Sequence, residues 1–136
     1  MDFVIPGPPQ GKARPRFSSR SGTVYTPTKT VLYERKIAKA YKAEGGYKYL
    51  DGCYVRVLIR AYFPVPKSWP RRRKEMALAG DIRPSKKPDV DNIIKIVLDG
   101  LNGVAYEDDK QVVYAACKKM YGTAGEIWVC VEEDKV

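Results

Sequence analysis

The chain has 136 residues, 44% hydrophobic and 30% charged, with a formal net charge of +9 and no histidine. That length suits one domain with a real core, and no apolar run approaches the ~20 residues a membrane span needs. The lack of histidine excludes His-ligated zinc, hydrolases built on a His base and His phosphotransfer, leaving acid–base work to Asp, Glu, Lys, Tyr, Cys or a metal-bound water.

Phe3-Val4-Ile5 predicts a short opening strand, ended by Pro6-Gly7-Pro8-Pro9. Residues 10–22 read as a basic, breaker-rich loop. Thr26 is a plausible N-cap with Pro27 at the first helical position. Tyr33, Ile37, Ala40 and Tyr41 then recur at helical spacing up to the stop at Gly45-Gly46. Tyr54 to Phe63 alternates, with Val55, Val57, Ile59, Ala61 and Phe63 on one side, as a half-buried strand does. Ser68 predicts the cap of a helix over Trp69–Ala79, although Arg71-Arg72-Arg73-Lys74 put positive charge where the helix dipole disfavours it.

Ile94, Val97, Leu98 and Leu101 mark the core face of a further helix, and Gly100 and Gly103 bracket its end. Val112–Tyr121 and Glu126–Val131 read as strands joined across Gly122-Thr123-Ala124-Gly125, which predicts a hairpin. The order predicts one α+β domain over residues 1–136, with a mixed or antiparallel sheet and helices packed against it. Cys53, Cys117 and Cys130 are scattered singly, as reduced thiols would be, and the opening residues lack a secretion signal. A cytoplasmic protein with no membrane association is the expectation.

Charge is unevenly placed. From Lys12 to Lys36 there are seven basic residues and one acidic, and from Lys67 to Lys87 eight basic and two acidic. Any one of these side chains can be ordinary solvated surface, but the asymmetry favours a phosphate-tracking surface. Against it stands an acidic constellation, Asp89-Val90-Asp91 and then Asp108-Asp109. Clustered carboxylates repel, and a divalent cation such as Mg²⁺ is the commonest reason for gathering them. A cation-dependent site on a basic protein suggests a polyanionic substrate, with nucleic acid the first candidate.

Each of these motifs has a plainer explanation. Asp91 can serve only as a helix N-cap, and Asp89 as a favourable charge near the same terminus. Neither role accounts for Asp108-Asp109 in the connection to the next strand. Lys95, one turn beyond Asp91, can pair with Asp91 or Asp99 as a surface contact or can hold a phosphate beside a metal. An EF-hand fails because Ile94 occupies the required glycine position and Gly100 the closing glutamate. A P-loop fails because Gly7-Pro8-Pro9-Gln10-Gly11-Lys12 is one residue short, holds two prolines and is followed by Ala13.

Lys87-Pro88-Asp89-Val90-Asp91-Asn92-Ile93-Ile94-Lys95, then Asp99-Gly100-Leu101, then Tyr106-Glu107-Asp108-Asp109-Lys110-Gln111-Val112, resembles the core of the RusA family of Holliday junction resolvases, frequently carried by prophages. The resemblance extends more loosely to the Pro-Gly-Pro-Pro opening with its basic loop and to Ser68-Trp69-Pro70. It implies a small α+β homodimer that uses Mg²⁺ or Mn²⁺ to cut four-way DNA junctions by paired, symmetric incisions. It implies that Asp89, Asp91 and Asp109 bind the metal, with Asp108 as a neighbouring candidate, and that Lys95 is essential. Where the best-known member has an arginine run before the first aspartate, this chain has Lys86-Lys87-Pro88, so Lys86 and Lys87 are candidates for DNA contact.

On that footing, one or two metal ions would activate water and bridge phosphate oxygens. Lys95 would neutralise charge in the transition state, while Lys12, Arg14 and Arg16, with Arg71, Arg72 and Arg73, would track phosphates. The two-fold symmetry of a junction matches a C2 dimer. Rival expectations are a nuclease for other branched DNA, a non-catalytic nucleic-acid-binding module, and an assembly protein whose acidic site docks arginines.

Overall fold

The alternating strand near the middle of the sequence is the centre of the structure. In the computed structural model, which describes residues 1–135, it forms β4, Val55–Pro64, with Val55, Val57, Ile59, Ala61 and Phe63 buried. The other strands of the sheet are β1 (Asp2–Pro6), β5 (Val112–Gly122) and β6 (Glu126–Glu133), in the order β1-β6-β4-β5. β6 runs antiparallel to both β1 and β4, whereas β4 and β5 are parallel, so the sheet is mixed. The fold is α+β, as the order of elements leads one to expect.

The expected hairpin between the last two strands is not formed. β5 and β6 flank β4 on opposite sides, and residues 122–125 carry the chain over its end. The Val65 N–H donates to the Gly122 carbonyl at 3.3 Å, and the Gly7 N–H to the Gly125 carbonyl at 3.0 Å. Strands lie about 4.8 Å apart, so passing over one takes roughly 10 Å, within reach of four extended residues. A glycine-rich four-residue connection is compatible with either arrangement. β4 decides between them: with β6 on one edge and β5 on the other, its backbone N–H and C=O groups are paired on both sides.

Helices α1 (Thr28–Ala43) and α3 (Val90–Leu101) bury Tyr33, Ile37, Tyr41, Ile93, Ile96, Val97 and Leu101 in the core that also holds Phe3, Ile5, Ile127, Val129 and Val131. The buried face of α3 is turned from the expected one: Ile93 and Ile96 are fully buried, and Ile94 and Leu98 only partly. The contact with α1 explains the turn. A Cβ on Gly100 would lie 2.9 Å from the Ile37 Cβ, so glycine permits a close helix–helix approach here, in the last turn of a helix that ends between Gly100 and Gly103.

Two helix starts also differ from expectation. α1 has Pro27, not Thr26, at the N-cap, and α2 (Arg71–Leu78) begins after Pro70, with no side-chain cap at either. Trp69 precedes a proline, which disfavours helical backbone at that residue. The basic segment expected as loop contains a small hairpin, β2 (Arg16–Phe17) with β3 (Val24–Tyr25). Among the described residues no helix is long and apolar enough to cross a membrane.

Candidate active site

The loop after β1 is pressed onto the start of α3. The Lys12 N–H donates to the Asn92 carbonyl at 3.0 Å. A Cβ on Gly11 would stand 2.8 Å from the Pro88 Cβ and 3.0 Å from that of Asn92, so only glycine fits. Between this loop, the N-terminus of α1 and the N-terminus of α3 lies an open cleft of about 770 Å³. Lys12, Arg14, Arg16, Lys29 and Lys87 line it together with Asp89 and Asn92. Lys29 was not singled out in the sequence; the helix start at Thr28 brings it to the cleft. Two helix N-termini add positive potential to the basic side chains, a combination that favours anions.

Asp89 takes the N-cap position of α3, with φ −74° and ψ 158°, yet its side chain makes no capping hydrogen bond. Asp91 lies in the first turn, and both residues are exposed. Among the described residues no ion pair or side-chain hydrogen bond engages Asp89, Asp91 or Asp109. Neither carboxylate caps the helix by a hydrogen bond, although both stand where the helix dipole favours negative charge. Free carboxylates beside a basic cleft fit a hard divalent cation, which takes oxygen donors.

The second acidic pair is held from elsewhere. Asp109 opens a short 3₁₀ turn, Asp109–Gln111, and the Asp108 carboxylate caps it by accepting from the Lys110 N–H at 3.2 Å. Gln111 is buried and ties that turn down. Its side-chain oxygen accepts from the N–H groups of Glu107 (2.9 Å) and Asp108 (3.2 Å), and its amide donates to the Leu50 carbonyl at 2.9 Å. Tyr106, fully buried, donates its hydroxyl to the Leu98 carbonyl at 2.6 Å. Burial raises its pKa, and the charges of Asp109, Asp99 and Asp108 add to the rise. Among the described residues no three His, Cys, Asp or Glu side chains stand together as a ready-made metal cage.

The expected cations separate into groups. Arg14, Arg16 and Lys87 line the cleft. Lys12 lines the cleft as well, but its charge is already claimed: its ammonium pairs with Glu34 of α1 and, at 3.1 Å, with Asp99 of α3, and only 16% of its side chain is exposed. Burial would lower the Lys12 pKa, but hydrogen bonds to Glu34 and Asp99 outweigh that and hold it above its ordinary value. Lys95 projects from the same face of α3, 62% exposed and 3.8 Å from Asp99, so of its two possible partners it has the C-terminal one.

Arg71, Arg72 and Arg73 belong to a separate patch on α2. Arg71 pairs with Glu75 at 3.1 Å, and Arg73 lies 4.2 Å over the Trp69 ring, which meets Tyr121 edge-on. Lys86 sits near Phe63 and Tyr121, and its carbonyl accepts from Lys119. The sequence reading passed over Glu34 and Asp99 as partners for Lys12, and over Gln111. It also missed Phe17, 67% exposed, and Tyr25, 48% exposed, on the basic hairpin. The alternation of Arg16-Phe17 and Val24-Tyr25 about a glycine turn was the available signal for that hairpin.

Comparison with known proteins identifies the family. A family model described as endodeoxyribonuclease RusA matches residues 6–132. An uncharacterized Bacillus subtilis (strain 168) protein, YqaN, is 35% identical over 137 residues, covering 98% of this chain and 96% of its own. The matched span contains the basic loop, the cleft and both acidic pairs, and the chain belongs to the RusA family of endodeoxyribonucleases.

Proposed function

We propose that the protein is a divalent-metal-dependent, structure-selective endonuclease that resolves four-way DNA junctions by paired, symmetric incisions. The observation that carries this reading is the pair of uncommitted carboxylates, Asp89 and Asp91, on one helix start beside a cleft lined by Arg14, Arg16, Lys29 and Lys87. Asp89 and Asp91 would hold Mg²⁺, or Mn²⁺ in its place, with Asp109 as the third ligand. Asp108, its carboxylate already used as a cap, is the weaker candidate. Mg²⁺ commonly takes only one or two carboxylates and fills its shell with water and substrate phosphate oxygens, so a closed protein cage is not required before DNA arrives. When bound, the ion supplies an activated water and a counter-charge for the phosphate.

The remaining work falls to side chains. Arg14, Arg16, Lys29 and Lys87 take phosphates flanking the scissile bond and fix the strand in the cleft. Lys95, exposed one turn beyond Asp91, meets charge developing on the leaving oxygen. Arg71, Arg72 and Arg73, with Lys86, form a second basic band for another arm of the junction. A homodimer would present two such sites to a substrate of matching symmetry, acting in the cytoplasm, where recombining DNA lies.

The test is cleavage of a labelled junction with Mg²⁺ or with EDTA, run beside flap and linear duplex substrates and with the dimer state measured by sedimentation. The wild type should cut the junction in paired nicks with Mg²⁺ only. Asp91→Asn should still bind junctions and cut at least about a hundredfold more slowly, and Lys95→Ala should lose a similar factor in kcat. Undiminished cutting by Asp91→Asn overturns the assignment.

A further inference from the structure

Lys12 connects the basic loop to the helix that carries the catalytic residues at two levels. Its backbone N–H binds the Asn92 carbonyl in the first turn of α3, and its ammonium reaches Asp99 seven residues further along. The same ammonium binds Glu34, which brings in α1. The Lys12, Glu34 and Asp99 side chains are only 16%, 22% and 22% exposed, so water screens them little. Gly11, directly before, has no room for a side chain against Pro88 and Asn92, so the loop cannot lift from α3 without breaking this set.

Asp99 is also the partner of Lys95, and here the two lysines are unequal. Lys12 holds the Asp99 carboxylate at 3.1 Å, while Lys95 stands at 3.8 Å and is 62% exposed. Were Lys12 removed, Asp99 would keep a partly buried charge with Lys95 as its only cation. The i, i+4 spacing lets Lys95 close on it. The Lys95 ammonium would then be drawn toward the C-terminal end of α3, away from Asp91.

Resting on the nuclease reading above, we infer that Lys12 is a positioning residue and not a phosphate contact. By occupying Asp99 and Glu34 it fixes the basic loop on α3 and leaves Lys95 free to meet the phosphate. Arg14, two residues on, lines the same cleft with no ion pair among the described residues, and that contrast makes the inference testable. A phosphate contact contributes close to one unit to the slope of log affinity against log salt, whereas an internal ion pair contributes none.

Junction binding is measured across a salt series with a DNA-binding but cleavage-blocking ion such as Ca²⁺, and single-turnover cleavage with Mg²⁺, for wild type, Lys12→Met, Arg14→Ala and Lys12→Met/Asp99→Asn. Arg14→Ala should lower the salt slope by about one unit. Lys12→Met should keep the wild-type slope, lose on the order of tenfold in the cleavage rate at saturating enzyme, and regain most of it when Asp99→Asn is added. Lysine acylation followed by mass spectrometry gives a readout free of DNA: Lys12 should react slowly beside Lys29 and Lys87, and faster in Glu34→Gln/Asp99→Asn. A slope reduced by Lys12→Met, no recovery in the double variant, or rapid acylation of wild-type Lys12 each overturns the inference. A wild type that cuts nothing overturns the nuclease reading instead, and the acylation pattern still judges Lys12.

Discussion

Gln111 shows how much a single polar side chain can organise. It is 5% exposed and stands between the Glu107–Asp108 backbone and the carbonyls of Tyr49, Leu50 and Cys53. Replacing it with leucine keeps most of the volume and removes the partner of two part-buried N–H groups and of the Leu50 carbonyl. Each unpaired group costs about 1–3 kcal/mol, so Gln111→Leu should destabilise by roughly 3 kcal/mol in urea unfolding. Its junction cleavage should also fall, because Asp109 opens the turn that Gln111 fixes. Wild-type stability in that variant would remove Gln111 from the site. Only the bonds to Glu107 and Asp108 are legible locally, as the Asp-x-x-Gln spacing of a capping box, because the carbonyl partners lie 58 to 62 residues away. Lys12 misleads for the same reason: in sequence it is one of a basic run, and only folding reveals the two carboxylates that claim it. Asp89, Asp91 and Lys95 were legible because their relation is set by neighbouring residues on one helix.

At the level of elements, periodicity was informative wherever one face alone is buried. β4 and α1 present the expected residues to the core. It failed for the last two strands, whose connection looks like a turn whether or not another strand lies between them. It placed Gly100 beside the helix end, where α3 does stop, but did not reveal its packing role against α1. Helix propensity predicts that Gly100→Ala should stabilise α3 by about 1 kcal/mol. The new methyl would instead meet the Cβ, Cγ2 and Cδ1 atoms of Ile37 at 2.9–3.0 Å, and the Cβ cannot swing aside. Overpacking of this kind costs about 1–3 kcal/mol, so the net change should be a loss of up to about 2 kcal/mol, seen as a lower Tm. A raised Tm would show that α1 and α3 can slide apart without cost. The separation of these helices sets where the loop stapled by Lys12 meets the start of α3, so junction cleavage should fall in the same variant.

Across the whole molecule, the resolved titration shifts share one sign. Burial, followed by a Lys119 charge that opposes it, leaves the Cys117 thiol raised from 9.0 to about 11; burial and then Asp2 raise Cys130 to about 11. Burial pushes Tyr33 and Tyr41 from 10.0 to about 12. Each of these groups is favoured in its neutral form by folding. Its contribution is complete below the unfolded value and is lost as pH rises toward the folded one. The raised Lys12 pKa acts in the same direction, with stability present below 10.5 and lost as pH climbs through its folded value. The unfolded chain therefore binds fewer protons than the native one above about pH 9, and stability must fall with pH there. Urea midpoints should hold between pH 7 and about 9, then drop steadily toward pH 11, and unfolding at pH 10 should release protons to an indicator dye. The wider charge balance does not produce this drop, since a chain of net charge +9 and pI about 9.5 loses self-repulsion as it approaches that pH. A midpoint unchanged to pH 11, or proton uptake on unfolding at pH 10, would mean that these thiols and phenols are not held neutral in the core.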